Sequence, residues 1–288
     1  MRTIALALVV VAVAACGLTQ PGSSEVGVKR TPAAPTSTSI DPQQRALSQA
    51  IARSGAVVLP VYFVRKGELA VAVRRLPADV NVVRRAVDAL VSGPTTAEQA
   101  AGLSTAVPSL SRVRTMRLEQ GDVAVVDLTG SFAALGPSNS AELRLAQIVY
   151  TVTTFPVSVS FYIDGRPAKA IAGLVLPDRP LTRDDFAQVV PAVLVDSIGP
   201  GQAVTTGTVI SGSTALRGTD LVVRLTDATG RVLYQGQGRS DDARGERHAF
   251  RVVSQFRRVA AGPGTVTVTA ATPDGAPALV VSVPIQLR

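Results

Sequence analysis

The single histidine of the chain limits the chemistry that this sequence can perform. His248 lies in the segment ERHAFRV, where alternation predicts a strand with His248 on the face opposite Ala249 and Arg251. A serine, histidine and aspartate triad would have to use His248, yet no serine lies in a nucleophile-elbow sequence. With one histidine and one cysteine, a zinc site would consist almost entirely of carboxylates. We expect His248 to be a surface or edge residue, and we expect no metal and no cofactor.

Paired acidic residues are the next candidates, because glycoside hydrolysis needs two carboxylates across a cleft. Asp184 and Asp185 lie in a segment that contains two prolines, whereas Asp241 and Asp242 lie in a glycine-rich loop. Neither pair is flanked by the apolar residues that would raise a carboxyl pKa. We therefore predict no catalytic residue and no enzymatic activity, and a hydrolase of wall sugars is only the third hypothesis.

Arginine pairs could contact anions, but adjacent residues of a helix or strand point in different directions. At most one member of each pair could join a common patch; the pairs are Arg74 with Arg75, Arg84 with Arg85, and Arg257 with Arg258. The formal charge of +8 leaves open an anionic wall polymer or lipid headgroup as a partner, but we favour the alternative, a surface of arginines spread for solubility. Aromatic residues make up only 4% of the chain, which argues against nucleic acid as a partner.

The N-terminus has the pattern of an export signal. Arg2 supplies a positive charge, an apolar run follows, and small residues precede Cys16, so residues 1–15 are predicted to be a signal peptide. The run from Val13 to Cys16 resembles the lipobox of bacterial lipoproteins, in which the cysteine carries the lipid. Alternatives are a chance cysteine or a secreted protein that is cut nearby. We expect lipidation at Cys16, which would hold the protein on the outer face of the cell membrane.

The rest of the chain divides into a tether and two domains. Residues 16–56 are predicted to contain the lipidated cysteine, a Pro, Gly, Ser and Thr-rich tether, and a short helix before Gly55. Residues 57–176 mix strand and helix patterns, which predicts an α+β domain. Residues 177–192 contain two prolines and a charge run and are predicted to be a linker. Residues 193–288 show seven short apolar runs separated by turn residues, the pattern of a β-sandwich.

Four local signals organise the first domain. Lys66 and Gly67 should turn a hairpin, and the helix that contains Val83 and Leu90 should end at Gly93 and Pro94. Capping-box spacings, Thr95 with Glu98 and Asn139 with Glu142, should begin two further helices, the latter with one apolar stripe over Leu145, Ile148, Val149 and Val152.

The stretch TFPVSVSFYIDGRP alternates and then reaches an Asp-Gly pair. Val157, Val159, Phe161 and Ile163 should share one strand face. Asp164-Gly165 favours a two-residue hairpin turn, and Asp122, also beside a glycine, should turn the chain between two earlier strands. Turn formation therefore explains these aspartates without catalysis.

Residues 57 to about 176 contain, in this order, the segments PVYFV, ALVSGPT, VPSL, VAVVDLTGSF and LAQIVYTVTTFPVSVSFYIDGRP. In these segments the chain resembles the GerMN domain of sporulation and germination proteins. Residues from about 193 resemble the immunoglobulin-like Gmad2 domain in PGQAV, VISGST, VRLTDATGRVL, HAFRV and VSVPIQL. The resemblance implies an α+β domain followed by an all-β immunoglobulin-like sandwich, and a place outside the cell membrane in spore envelope assembly or germination. It supplies no catalytic residues.

We therefore expect a lipid-anchored, extracytoplasmic protein that binds or assembles with another envelope protein. The alternative is a sensory module that holds wall fragments or small nutrients between its two domains. An exposed apolar surface with a polar rim would favour the first hypothesis, and a pocket with converging polar groups would favour the second.

Overall fold

A computed structural model of the chain describes residues 55–79, 81–119, 122–136, 140–153, 158–257, 259–272 and 278–288. These residues all belong to one compact unit, Gln43–Arg288. The predicted signal peptide, Cys16, the tether and the short helix before Gly55 lie outside the described residues, as do Asn139 and Val157.

The first lobe combines short strands with helices. Its elements are β1 (Ala56–Arg65), β2 (Glu68–Pro77), α1 (Val82–Val91), α2 (Thr96–Ala100), β3 (Val113–Glu119), β4 (Val123–Leu128), a 3₁₀ turn (Gly130–Ala133), α3 (Ser140–Val152), β5 (Ser158–Ile163), β6 (Arg166–Pro167), β7 (Ala170–Ile171), β8 (Leu174–Val175) and a 3₁₀ segment (Arg183–Val189). β1 pairs with β2, β7 pairs with β8, and a four-stranded sheet has the order β3-β4-β5-β6. β4 and β5 run parallel, with α3 in the connection between them, whereas the other strand pairs of the lobe are antiparallel. Helices combined with mainly antiparallel strands make the lobe α+β.

Both predicted hairpin turns are present. Lys66 and Gly67 have φ of 54° and 84° between β1 and β2, and Asp164 and Gly165 have φ of 50° and 81° between β5 and β6. Positive φ at both central residues is the requirement of a type I′ turn, and it explains why each pair ends in glycine.

Helix ends follow the predicted signals. At the end of α1, Gly93 has φ of 86° and its N–H donates to Leu90 O at 2.9 Å. At the start of α2, Thr95 Oγ1 accepts from Glu98 N, and Glu98 Oε2 accepts from Thr95 N at 2.8 Å. The capping box and the glycine stop are confirmed.

Helix α3 is buried on all sides rather than along one stripe. Every side chain except that of Glu142 is buried, because the helix lies between the β1–β2 hairpin, α1 and the 3₁₀ segment Arg183–Val189. Its polar side chains bind backbone groups. Gln147 Nε2 donates to Tyr62 O at 3.0 Å, Tyr62 N donates to Thr151 Oγ1 at 3.1 Å, and Arg144, 2% exposed, donates to Ala106 O at 3.1 Å.

The second lobe is a β-sandwich of two sheets. Its strands are β9 (Val193–Val195), β10 (Ala203–Val204), β11 (Val209–Thr214), β12 (Asp220–Asp227), β13 (Val232–Arg239), β14 (His248–Val253), β15 (Gly262–Ala270) and β16 (Leu279–Leu287). One sheet has the order β10-β16-β15-β12-β13 and the other β14-β11-β9. The seven predicted runs correspond to strands, and β11 is an eighth that the sequence reading missed. The predicted fold class, α+β followed by a β-sandwich, is confirmed.

The segment predicted as a linker, residues 177–192, has structure of its own. Leu181 forms a bridge with Val159, and Phe186, Val189 and Val190 are buried in the core of the first lobe. The segment therefore packs as part of that lobe along much of its length.

Gly212 in β11 gives a test of the sandwich packing. A Cβ there would lie 2.0 Å from Leu194 O and 2.9 Å from the ring of Phe250. Gly212→Ala should therefore lower the free energy of unfolding by about 1–3 kcal/mol, the usual cost of overpacking. Urea unfolding measures it. The control is Gly262→Ala in β15, where nothing lies within 4 Å of the added carbon. Equal stability of the two variants would contradict the packing described here.

Candidate functional site

The structure brings Asp164 close to a second, buried aspartate. Asp127 Oδ1 accepts from Gly165 N at 3.0 Å, and Arg114 Nη1 lies 3.5 Å from Asp127 Oδ2 and 3.8 Å from Asp164 Oδ1. Asp127 thus supports the turn, and the arginine lies between the two carboxylates. The arrangement fixes the β5–β6 turn against the end of β4 and agrees with the interpretation of Asp164 as a turn residue.

The expectation that His248 is a surface or edge residue holds for the edge and is wrong for the surface. His248 stands in β14, an edge strand, but its side chain is only 4% exposed. Strand alternation places it on the inward face together with Phe250 and Val252. Its Nδ1 lies 3.4 Å from Asp241 Oδ1. Asp241 and Asp242 belong to the loop between β13 and β14.

The other acidic pair stabilises a helical turn. Asp185 Oδ2 accepts from Thr182 N at 2.7 Å, and its carboxylate pairs with Arg179. The guanidinium of Arg179, together with the Thr182 N–H, holds the pKa of Asp185 at about 2. The group is ionised at neutral pH and cannot supply a proton as a general acid. Asp184 is exposed beside it.

Adjacent arginines take different partners, as the sequence predicted. Arg84 binds Asp88, while Arg85 binds Asp79. Arg74 binds Glu98. Arg75 and Arg257 are exposed, and Arg258 lies outside the described residues.

The two lobes meet at strand β9. Leu194 is buried in the core of the first lobe, whereas Val193 and Val195, on the opposite face of the strand, are buried in the core of the second. The approach is close at Gly199, where a Cβ would lie 2.6 Å from Val71 O. β9 therefore contributes to both hydrophobic cores.

A cleft of about 420 Å³ lies along this junction. Its walls include apolar residues of β2, β9 and β16, and Arg65, Lys66 and Glu68 from the first hairpin lie at the same cleft. Arg65 Nη1 donates to Ser282 O at 3.1 Å and so joins the two lobes. The volume is within the range of small-molecule sites.

Arg183 forms the centre of a polar cluster beneath the junction. Its guanidinium carbon lies 4.7 Å from the ring centroid of Tyr150 and 5.7 Å from that of Tyr62. Its Nε donates to Thr153 Oγ1 at 2.8 Å and its Nη2 to Tyr150 O at 3.1 Å. Burial raises the pKa of both tyrosines.

Two residues of the second lobe complete the cluster. Arg247 donates to Pro191 O and to Ser213 O, each at 3.0 Å, and burial lowers its pKa. Burial raises the pKa of Asp196, whose carboxylate accepts from Ser211 Oγ at 3.3 Å. The sequence reading singled out none of Arg183, Asp196 and Arg247, because each lies alone in a stretch without a recognisable motif.

Residues 60–169 match a family model whose description is Germane, sporulation and spore germination. The match lies within the first lobe, which is similar to GerMN domains. The resemblance of this part of the chain to sporulation and germination proteins is therefore confirmed. The resemblance of the second lobe to Gmad2 stays a prediction beyond its sandwich fold. No curated protein matches the chain.

Three solved structures are similar to the chain. A "putative lipoprotein" from Clostridium perfringens has 16% identity and a TM-score of 0.34, covering 48% of this chain and 94% of its own. The first GerMN domain of the sporulation protein GerM from Bacillus subtilis has 19% identity and a TM-score of 0.38, covering 44% and 98%. The tandem GerMN domains of the same protein have 17% identity and a TM-score of 0.40, covering 66% and 62%.

Two further properties concern the described residues alone. None of their helices is long and apolar enough to cross a membrane. Within these residues, no three histidine, cysteine, aspartate or glutamate side chains are grouped so that they could hold a metal ion.

Arg183 can be tested against its neighbour Arg179. Arg183→Ala removes two charge-assisted hydrogen bonds and the contact with Tyr150, and should lower the free energy of unfolding by about 2 kcal/mol. Arg179→Ala breaks an exposed ion pair with Asp185 and should cost about 0–1 kcal/mol. Urea unfolding compares the two, and equal losses would show that the GerMN-type lobe does not depend on the buried arginine.

Asp196 should make stability depend on pH. Its folded-state pKa is raised by burial, so the folded chain binds this proton more tightly than the unfolded chain does. The protonated carboxyl of Asp196 therefore contributes stability that is fully present at pH values below the unfolded-state pKa, about 3.9. This contribution is lost as the pH rises through the folded-state pKa. Asp196→Asn should therefore raise stability at neutral pH but not near pH 3. The exposed Asp184→Asn is the control. A loss of stability at neutral pH would show that the Asp196 charge is favourable there.

Proposed function

We propose that this protein is a lipid-anchored, extracytoplasmic protein of the bacterial cell envelope, and that its GerMN-type lobe assembles with another envelope protein. The family relationship to sporulation and spore germination supports the setting. The sequence from Val13 to Cys16 supports the anchor on the outer face of the membrane.

The observation that carries the proposal is the free edge of β3. This strand, Val113–Glu119, lies at the end of its sheet, and among the described residues only β4 pairs with it. Most of its side chains are exposed, and Leu118 is 65% exposed. Unpaired backbone groups along a strand edge can be satisfied by a strand from another protein, while an exposed leucine adds apolar area. We propose that the partner adds a strand at this edge.

The proposal includes no catalysis. Two of the acidic residues weighed for a hydrolase have other roles: Asp185 is ionised and caps a helical turn, and Asp164 forms the β5–β6 turn with Gly165. His248 is buried. These assignments support a binding role over an enzymatic one.

The cleft at the lobe junction favours a second candidate function, the binding of a small molecule. Its apolar walls and the charged residues Arg65, Lys66 and Glu68 suit a ligand such as a wall fragment or a nutrient. In a sensory module, binding of such a ligand would change the stability of one lobe relative to the other.

A photo-crosslinking residue in place of Leu118 tests the assembly proposal in intact cells. We expect one discrete protein adduct at position 118 and none at position 58, where Val58 is 57% exposed on β1. In a second arm, Leu118→Asp should reduce recovery of that partner about fivefold or more, the effect of losing ~1 kcal/mol at an interface. Val58→Asp should leave recovery unchanged.

Cys16→Ser separates anchoring from assembly in the same cells. The variant should leave the membrane fraction, because the acyl chains that hold it there cannot be attached.

In the crosslinking experiment, equal adducts at positions 118 and 58 would contradict docking at β3. Recovery of wall fragments or a small molecule without a protein would instead favour the junction cleft.

A further inference from the structure

A larger cavity, of about 710 Å³, lies within the GerMN-type lobe. It is formed by α1 from Arg84 onward with Gly93-Pro94, by the loop that follows α2, and by the start of β3. None of the residues that line it also lines the junction cleft. It is therefore a separate site, with a volume suited to a small ligand.

The base of this cavity is apolar. Val91, Val107 and Val113 line it, and all three are buried in the core of the lobe. Fixed, small aliphatic side chains form a surface that accommodates a methyl or similar group of a ligand.

Two arginines and one aspartate supply the charges that line the cavity. Arg84 Nε lies 3.1 Å from both carboxylate oxygens of Asp88, and Arg84 Nη2 donates to Val113 O at 2.7 Å. The charge of Asp88 is thus balanced by Arg84. Both side chains are held in place by contacts within the lobe.

The charge of Arg112 is not balanced in this way. Its Nη1 donates to Ser109 O at 2.9 Å and to Ser111 O at 2.6 Å, which fixes the direction of the guanidinium. Across the described part of the chain, no carboxylate lies within ion-pair distance of it. The Nε and Nη2 donors are therefore available, and a guanidinium binds a carboxylate through two parallel hydrogen bonds.

We propose that this cavity binds the end of a peptide, with the free carboxylate on Arg112 and a small apolar side chain over Val91, Val107 and Val113. Such ends occur in wall peptides, whose terminal residue has the D configuration, and at protein C-termini, which have the L configuration. The shared chemistry is a carboxylate beside a small apolar group. The site goes beyond the proposed assembly at β3 and does not depend on it.

The test is a calorimetric titration of the purified full-length protein with acetyl-Ala-Ala. The free acid should bind, and the C-terminal amide should bind about tenfold more weakly or worse, because a hydrogen bond to a charged group is lost. Arg112→Gln should weaken binding of the acid by a similar factor. The D,D and L,L forms of the peptide distinguish the two sources.

The matched control is Arg75→Gln, which removes an exposed arginine of the same lobe that does not line the cavity. It should bind the acid as the wild type does. Equal binding of acid and amide, equal binding by Arg112→Gln, or no heat from either peptide at millimolar concentration would each overturn the proposal. Circular dichroism of Arg112→Gln tests whether the variant is folded. Because no partner protein is present, failure here leaves the crosslinking result at β3 unaffected.

Discussion

Polar side chains inside helix α3 determine how the first lobe is assembled. Gln147 and Thr151 bind the C=O and N–H of Tyr62, and Gln147 and Arg144 bind the N–H and C=O of Ala106. Each of these backbone groups would be costly to bury without a partner. The helix therefore fixes β1 and the loop around residue 106 at once. A two-stranded hairpin is marginal alone, and this helix is what makes β1 and β2 part of a stable core.

The need to give backbone groups a hydrogen-bond partner also distinguishes the edge at β1 from the edge at β3. Thr151 and Gln147 satisfy backbone groups of β1 at Tyr62, so that edge is partly covered from within the lobe. In β3, Arg84 of α1 binds Val113 O at the start of the strand, and among the described residues β4 is the only strand that pairs with β3. Helix α3 also holds Ala106 between Thr105 and Val107, which line the larger cavity. The wall of that cavity is thus fixed before any ligand arrives.

The sequence could predict elements whose signals are local. The turns at Lys66 and Asp164, the glycine stop after α1 and the Thr95 capping box depend on a few neighbouring residues, and all are present. The burial of α3 on every side could not be predicted, because it depends on elements distant in the chain. β11 was missed because Gly212 and small polar residues interrupt its apolar pattern, although Gly212 is required by the close approach of Leu194.

The candidate sites were less predictable than the fold. Two-residue alternation placed His248 on the correct side of its strand, but it could not tell which face is buried. Arg183 and Arg112 are single arginines without a motif. Only the folded chain shows that Arg183 lies against two tyrosines and that Arg112 lies at a cavity where no carboxylate of the described residues pairs with it. Motif searches favour paired residues, whereas Arg183 binds residues that are about thirty positions away in sequence.

Strand β9 has a consequence for how this chain can be divided. Of three consecutive residues in β9, Leu194 is buried in the core of the first lobe, and Val193 and Val195 are buried in the core of the second. A cut before Val193 would leave the first lobe without Leu194. A cut after Val195 would remove Val193 and Val195 from the second lobe. The boundary between the two family resemblances therefore is not a boundary between independent folding units. A substitution that displaces β9 would therefore disturb the packing of both cores.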